Sequence, residues 1–240
     1  MRIHGKLCVI FKNYLITKLY IIVQLSFLLM NNLFKEAIKI LLKIKKIVFF
    51  IAILYVLSFF IGFSLIAMEN PFAIQFKNFI IEFISTYQPF SYVLEALGRG
   101  NILQAIIFTF LYNLFSGAFL STTLPGLIPF IGAIFISLIT FLRGLMIGIT
   151  YYEIFKNFNI LTIVALGTLF LELSAYVFSA SAGINISLSI IFPERYSTNR
   201  FEAFKKSIRD TLKIYLIVII LLMLGSIWEI IGIFLVAFLK

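Results

Sequence analysis

Residues 160–192 read ILTIVALGTLFLELSAYVFSASAGINISLSIIF, and this stretch decides the fold. It is long enough to cross a bilayer as a helix, which needs about 20 apolar residues. It also contains one carboxyl group, Glu172, and small residues at four-residue spacing, namely Ala175, Ser179 and Gly183. A charged group inside a span is costly in lipid, so Glu172 is expected to face protein or a water-filled cavity. The small residues predict a face on which a second helix packs closely.

The composition of the whole chain agrees with an integral membrane protein. Of its 240 residues, 62% are apolar and only 12% are charged. The mean hydropathy is +1.11, which leaves too little polar surface to cover a soluble globule of this length. The net charge of +10 comes from Lys and Arg that flank apolar runs. This pattern is typical of the cytoplasmic ends of membrane helices, and nucleic acid is therefore not expected as a partner.

The apolar runs predict an all-α fold, a polytopic transmembrane helical bundle of about five spans with added interfacial amphipathic helices. The predicted spans are residues 47–67, 102–122, 128–150, 160–192 and 214–239. Basic residues are concentrated before the first span and again in residues 193–213. The positive-inside rule then predicts a multi-pass protein of the cell membrane with its amino terminus in the cytoplasm and its carboxyl terminus outside. No internal repeat divides the chain, so an inverted-repeat transporter has no support.

Other segments surround the spans within a single membrane domain, residues 47–240. Residues 30–46 predict a cytoplasmic amphipathic helix with apolar residues on one face and lysines on the other. Residues 68–101 predict an outer interfacial segment, and 199–212 an inner amphipathic helix. The apolar stripe of the outer segment consists of Phe72, Phe76, Phe79, Ile80, Phe83, Ile84 and Tyr87. Residues 1–29 are a doubtful extension, either a misassigned start or a peripheral appendage, because lysines interrupt their apolar pattern.

The polar residues inside the predicted spans are the candidate functional site. They are Asn113, Arg143, Glu172 and Glu229. At about 1.5 Å of rise per residue they would lie in the central to outer half of the bilayer, where they can meet if their helices are neighbours.

Three interpretations of this polar cluster stay open. Arg143 could pair with one glutamate and fix the order of the helices. The cluster could be a proton or ion relay, because two glutamates facing one arginine leave a carboxyl group without a full counter-charge. It could also form a polar cavity for the headgroup of a substrate. A cavity that reaches Glu172 would favour transport, whereas a closed ion pair would favour a scaffold.

Small residues on other spans also predict close packing between helices. The candidate packing residues are Gly117, Gly144, Gly148, Ala175, Ser179 and Gly183. Gly144 and Gly148 form a GxxxG pair, which we interpret as internal packing rather than as a dimer contact.

The sequence offers little for catalysis. The single histidine, His4, and the single cysteine, Cys8, both lie in the first eight residues. No disulfide within the chain and no Cys/His metal site can be built from them. We find no nucleophile–base pair with usable spacing, so neither an enzymatic activity nor a cofactor or metal is expected.

The chain from about residue 30 to residue 240 resembles the stage II sporulation protein M family of membrane proteins. The matching residues are Phe110-Leu-Tyr-Asn113 with Gly117, Glu172-Leu-Ser-Ala175 with Gly183, Arg200-Phe-Glu-Ala203, and Glu229. The order of spans and loops matches as well. The family often has Pro-His-Gly before the fourth-span glutamate, where this chain has Gly167-Thr168-Leu169. A proton-exchange or metal role that needs this histidine is therefore not implied here.

The resemblance implies a membrane scaffold, since the founding members in spore formers anchor two cell-wall-degrading proteins. We expect a scaffold or anchor for protein partners, with the bilayer around it and a homo-oligomer left open. The candidate contact surfaces are residues 68–102 and 199–212. The alternative is a small transporter or permease subunit with a polar path around Arg143, Glu172 and Glu229.

Overall fold

The structure is a computed structural model that describes the backbone of residues 30–86 and 88–238, and the side chains of these residues except 84–86, 88 and 238. The predicted extension 1–29, the stripe residues Ile84 and Tyr87, and the predicted end of the last span at residue 239 lie outside what it describes. The described chain is helical throughout, with short turns between the helices and no strand. The predicted all-α class is confirmed.

Eight α-helices follow one another along the described chain. They are α1 (residues 30–43), α2 (Lys45–Ala67), α3 (Pro71–Thr86), α4 (Gln88–Gly98), α5 (Ile102–Tyr112), α6 (Ile131–Lys156), α7 (Ile160–Ile191) and α8 (Arg200–Phe238). Helix α5 continues without a break as a π-helix, Asn113–Thr123, and then as a 3₁₀ turn, Leu124–Leu127. A second 3₁₀ turn, Pro193–Arg195, lies between α7 and α8.

Five of these helical segments are long and apolar enough to cross a membrane by length and composition. They are Lys45–Ala67, Ile102–Leu127, Ile131–Lys156, Ile160–Ile191 and Arg200–Ala237. The five-span prediction is therefore confirmed, and the chain is a multi-pass membrane protein. Many large apolar side chains on these helices are exposed, as expected for surfaces that face lipid rather than water.

Helix α7, Ile160–Ile191, is the central helix of the bundle. Helix α7 packs most extensively against α8 and also contacts α2, α5 with its π-helical continuation, and α6. Nearly every side chain from Ala175 to Ser189 is buried, so this half of α7 is surrounded on all sides. The helix begins at a capping box, in which the Asn159 side chain accepts a hydrogen bond from Leu161 N at 2.8 Å. Small residues suit this position because they let several helices approach one axis.

Several helix boundaries differ from those predicted; α6, for example, ends at Lys156 rather than at 150. The inner amphipathic helix and the last span form one continuous helix, α8, because no Gly or Pro interrupts residues 200–224. Helix α6 begins at Ile131 rather than at 128, because Phe130 adopts a left-handed backbone conformation with φ of 63° after Pro129. The second span begins as an α-helix but widens into a π-helix from Asn113.

The bundle has two chemically different ends. At the basic end, α1 lies against the start of α8, where Lys213 Nζ pairs with Glu36 Oε2 at 2.8 Å. At the opposite end, α3 and α4 join the first two spans, and Lys77 of α3 pairs with Glu153 of α6 at 3.1 Å. The candidate site lies toward this opposite end, under α4.

Candidate functional site

Both intramembrane glutamates line one cavity of about 270 Å³ between α4, α5, α7 and α8. Most of its wall is apolar and aromatic, and its carboxyl and amide groups come from Asn113, Glu172 and Glu229. The complete lining is Pro89, Phe90, Val93, Leu94, Leu97, Phe108, Thr109, Tyr112, Asn113, Glu172, Glu229, Ile230 and Ile233. The amphipathic helix α4 contributes one side of the cavity, so this helix lies over the carboxyl groups.

Glu172 is held by an amide from the neighbouring helix. Asn113 Nδ2 donates a hydrogen bond of 2.7 Å to Glu172 Oε1. Asn113 is the first residue of the π-helix, a conformation that is usually only one turn long and is frequently found at functional sites. Glu172 also experiences repulsion from Glu229 and attraction to Arg143. Three of the four predicted site residues therefore line one cavity, and the fourth is within electrostatic range.

Space for the Glu172 side chain is provided by a glycine on α8. A Cβ atom at Gly225 would lie 2.8 Å from Glu172 Cγ and 3.5 Å from its Oε1. A contact under 3.0 Å would force the glutamate to move. Gly225 thus lets α8 approach α7 while the carboxyl group reaches the cavity.

Arg143 belongs to a second polar cluster, which meets α7 at Tyr176, one turn along the helix from Glu172. Its Nη1 donates to Gly117 O at 3.1 Å and its Nη2 donates to Ser121 Oγ at 2.9 Å. The guanidinium also lies over the Tyr176 ring, 4.3 Å from its centroid. The Ser121 hydroxyl in turn donates to Gly117 O at 2.5 Å. We call these four residues the arginine cluster; its acceptors are neutral and its ring contact is a cation–π interaction.

The expected ion pair between Arg143 and a glutamate does not form in the part of the chain that the structure describes. Helix α6 turns Arg143 toward the π-helix, whose carbonyl and hydroxyl groups take up its donors. The glutamates instead face the cavity beneath α4. Within residues 30–86 and 88–238 the ion pairs are Lys77–Glu153, Arg99–Glu95 and Lys213–Glu36, all outside this region.

The two predicted glycines of α6 lie against α2. A Cβ at Gly144 would meet Ser58 Oγ at 2.0 Å, and one at Gly148 would meet Phe59 O at 2.1 Å. Because Gly148 lies directly against the backbone oxygen of Phe59, even one methyl group at this position would push α6 away from α2. The GxxxG pair therefore faces the interior of this chain.

The ladder of small residues on α7 faces the π-helix. A Cβ at Gly183 would lie 2.1 Å from Thr122 O, and the Ser179 hydroxyl is 2.9 Å from that of Thr122. Ala175 is fully buried in the main apolar core. A Cβ at Gly117 would meet the Tyr176 hydroxyl at 2.7 Å, so this glycine gives the Tyr176 ring its place over Arg143.

Sequence reasoning missed two contributors to these clusters, Tyr176 and Gly225. Neither carries a charge, and their spacing alone does not distinguish them from ordinary packing residues. It also missed a packing contact outside both clusters, at Gly167, where a Cβ would meet the Trp228 indole nitrogen at 2.2 Å. Trp228 Nε1 donates to Val164 O at 3.0 Å, so Gly167 admits an indole that ties α8 to the start of α7.

The described residues contain no group of three or more His, Cys, Asp or Glu side chains that could hold a metal ion. What the cavity offers instead is two carboxyl groups and one amide in an aromatic setting. Such an arrangement can bind a proton or a cationic group, because neutralising one carboxyl group relieves the repulsion between the two.

Comparison with known proteins agrees with the resemblance in the sequence. No curated protein and no solved structure matches the chain significantly. A family model described as Stage II sporulation protein M matches residues 47–231, a range that reaches into all five spans and includes Asn113, Glu172, Glu229 and the arginine cluster. The chain therefore belongs to the stage II sporulation protein M family.

Proposed function

We propose that this protein is a small membrane carrier, and that the cavity under α4 is its binding site for a proton or a small cation. The observation that supports the proposal is that Glu172 and Glu229 line the same cavity and have no ion-pair partner among the described residues. Of the two functions expected from the sequence, this geometry favours the carrier over the scaffold.

The physical argument rests on the cost of charge in the membrane. Two carboxylates side by side in a medium of low dielectric constant repel each other, and each loses its hydration. Arg143 attracts Glu172 but gives its hydrogen bonds to Gly117 and Ser121 instead. A proton or a monovalent cation at the pair would offset this cost. A carboxyl group that is neutral only while it holds such a ligand can couple the binding and release of that ligand to movement across the membrane.

The position of the cavity suits a carrier. Binding sites of many carriers lie between helices near the middle of the bilayer. At about 1.5 Å per residue, Glu172 lies roughly 18 Å along α7 from its start, well inside the bilayer. The positive-inside rule supports a cytoplasmic basic end, which would place the cavity in the outer half of the bilayer, with α4 on its outer side.

Ion flux into liposomes that contain the purified protein tests this proposal. In one arm, a potassium diffusion potential drives protons toward a trapped pH-sensitive dye; in the other, uptake of radioactive sodium is followed. We expect flux above that of empty liposomes in at least one arm, and a loss of that flux in Glu172→Gln and in Glu229→Gln. Glu95→Gln is the matched control, because Glu95 lies on α4 but is exposed and does not line the cavity.

Two results would count against a carrier. One is flux no greater than that of empty liposomes in both arms. The other is flux that Glu172→Gln and Glu229→Gln leave at the level of Glu95→Gln, which would mean that the carboxyl groups of the cavity do not carry it.

A scaffold is the second candidate, and one surface supports it. Helix α3 carries Phe72, Phe76, Phe79 and Phe83 as a row of stacked rings whose centroids are 6.1 to 6.5 Å apart. Three of these four side chains are exposed. The row lies within residues 68–101, one of the expected contact surfaces, and the resemblance to the sporulation family implies protein partners for such a surface.

Co-purification from the native membrane in mild detergent tests the scaffold. We expect a protein present in near-equal amount that is lost when Phe72 and Phe79 are changed to Ser, and is retained in Phe49→Ser with Phe50→Ser. The two control residues are exposed on α2. Recovery of the protein alone would contradict the scaffold at this surface. Recovery of a partner that still binds after Phe72 and Phe79 are changed to Ser would contradict it as well.

A further inference from the structure

A wide groove at the basic end of the bundle has no part in the cavity or in the arginine cluster. It has a volume of about 620 Å³ and lies between the turn after α7 and the first turns of α8. Four cationic side chains line it: Lys205, Lys206, Arg209 and Lys213. Two acidic side chains, Glu202 and Asp210, line it as well, which leaves an excess of positive charge.

Among the described residues, neither acidic group forms an ion pair with the cations that face the groove. Glu202 Oε2 accepts a hydrogen bond of 3.0 Å from Ser197, and Asp210 is 8% exposed with several cations around it. Lys213 already forms an ion pair with Glu36. Among the residues that the structure describes, Lys205, Lys206 and Arg209 form no ion pair. These three exposed cations are therefore open to an anionic ligand.

The wall of the groove at Tyr196 is held from both sides. Asn185, which is 2% exposed, donates to the Tyr196 hydroxyl at 2.7 Å. Lys43 of α1 places its Nζ 3.8 Å from the centre of the Tyr196 ring. These contacts hold the Tyr196 side of the groove in place, so that a ligand meets a defined shape there.

The groove lies where a lipid would present a headgroup. Helix α8 continues from the groove into the last span without a break. Lys205 and Arg209 are one turn apart and share a face. Phe201, 72% exposed, and Leu212, 66% exposed, lie on the same stretch of helix and offer apolar contact close to the cations.

We infer that this groove binds the anionic headgroup of a membrane phospholipid, with the phosphate held by Lys205, Lys206 and Arg209. Arginine offers two parallel N–H donors to phosphate oxygens, and the lysines add charge. Basic pockets beside membrane helices are suited to such headgroups. The exposed apolar side chains and the adjoining span favour a lipid over free phosphate as the source of this anion.

Lipid binding to the full chain in a neutral detergent tests the inference. Native mass spectrometry measures the affinities for phosphatidylglycerol, for phosphatidylcholine with the same acyl chains, and for inorganic phosphate. We expect phosphatidylglycerol to bind at least about tenfold more tightly than phosphatidylcholine. Replacing Lys205, Lys206 and Arg209 with Gln should remove that preference.

A matched triple variant separates a site from general basicity. Lys35, Lys39 and Lys45 are exposed at the same end but do not line the groove, so changing them to Gln removes equal charge. We expect this control to keep the preference for phosphatidylglycerol. An equal loss in both triple variants would overturn the inference in favour of diffuse attraction. Inorganic phosphate that binds as tightly as phosphatidylglycerol would overturn the lipid as the ligand.

The lipid affinities of the two triple variants can be compared only if both variants are folded. Thermal unfolding of each purified variant in detergent shows whether it is folded. If the triple variant at the groove unfolds early, Lys205→Gln with Lys206→Gln replaces it, since both side chains are exposed. The lipid preference should then fall by at least about threefold, and an unchanged preference in this pair would overturn the inference.

Discussion

The arginine cluster and the cavity under α4 are neighbours along α7, since Tyr176 follows Glu172 by one turn, yet their charged groups have different surroundings. Arg143 has a carbonyl oxygen, a hydroxyl oxygen and an aromatic ring within contact distance. Glu172 has one amide donor, and its other neighbours across the cavity are mostly apolar. Each charge is expensive in a bilayer, but only the first combines two hydrogen bonds and a ring contact from packed helices.

This difference separates architecture from function in a family whose polar residues are otherwise hard to rank. A charge whose donors are used by fixed backbone and side-chain groups stabilises the fold, and its loss damages the fold. A charge that faces an open space is accessible to a ligand, and its loss should spare the fold. The two clusters therefore make opposite predictions for abundance and stability.

The largest expected effect is at Arg143. Arg143→Ala leaves the Gly117 carbonyl and the Ser121 hydroxyl without this donor and opens a void beside Tyr176. We expect the free energy of unfolding to fall by about 2–5 kcal/mol, the range for large-to-small changes in a packed interior. Thermal unfolding in detergent, with the amount of protein in the membrane, measures this.

The control for this change is Lys156→Ala, on the same helix but exposed at its end. The unfolding temperature of Lys156→Ala should be close to that of the wild type. If Arg143→Ala is as stable as Lys156→Ala, the arginine cluster is not a structural element, and the contrast between the two clusters fails.

The next effect compares two glycine-to-alanine changes, one at each cluster. In Gly117→Ala the new Cβ would meet the Tyr176 hydroxyl and ring at 2.7 and 2.8 Å, which pushes the ring away from Arg143. Overpacking of this kind costs about 1–3 kcal/mol. In Gly225→Ala the new Cβ meets Glu172 Cγ at 2.8 Å, but this side chain can swing into the cavity.

We therefore expect Gly117→Ala to lower the unfolding temperature more than Gly225→Ala does. Gly225→Ala should instead reduce ion flux, because it displaces the carboxyl group that lines the cavity. Equal losses of stability in the two variants would indicate that the cavity is as tightly packed as the arginine cluster.

A smaller effect is expected at Asn113. Asn113→Ala removes the amide that donates to Glu172 at 2.7 Å, within a region that already contains open space. The loss should be about 1 kcal/mol, typical of a single hydrogen bond. A change as large as that of Arg143→Ala, measured by the same unfolding assay, would show that the cavity residues carry as much of the fold as the arginine cluster.

The sequence predicted the class of fold and the number of spans because both depend on long apolar runs, which are a property of composition. It also predicted which polar residues lie inside the bundle, since a charge within a span has few other places to go. Asn113 and Gly117 are four residues apart on the second span, and they nevertheless meet different partners, Glu172 and Arg143.

What the sequence could not give is which charges meet. Residue depth alone allowed Arg143 to reach a glutamate, and only the rotation of α6 about its axis turns it toward the π-helix instead. The π-helix itself has no Gly or Pro signature at its start, and it sets the direction of Asn113. Rotation and helix width are decided by contacts between distant segments, such as Gly183 against Thr122, which spacing along one helix does not reveal.

The smallest expected effect on stability is at the ion pair between Lys213 and the exposed Glu36, which lies outside the spans. Lys213 donates a hydrogen bond to the fully exposed Glu36 and attracts it, which lowers the pKa of Glu36 below its usual 4.5. A carboxyl group whose pKa is lower in the folded state stabilises the fold fully above pH 4.5, and loses this contribution as the pH falls through the lower value. Exposed ion pairs contribute little because water and salt screen them.

Glu36→Gln should therefore lower the unfolding temperature slightly at pH 7, and the gap to wild type should close as the pH falls below 4.5 and through the lower folded-state pKa of Glu36. Glu194→Gln, an exposed acidic residue at the same end, should show no such gap. A gap for Glu36→Gln that stays constant with pH would mean that packing of α1, rather than the ion pair, sets its effect. A gap approaching that of Arg143→Ala would contradict the contrast itself, because a charge in water would then support the fold as strongly as one buried between helices.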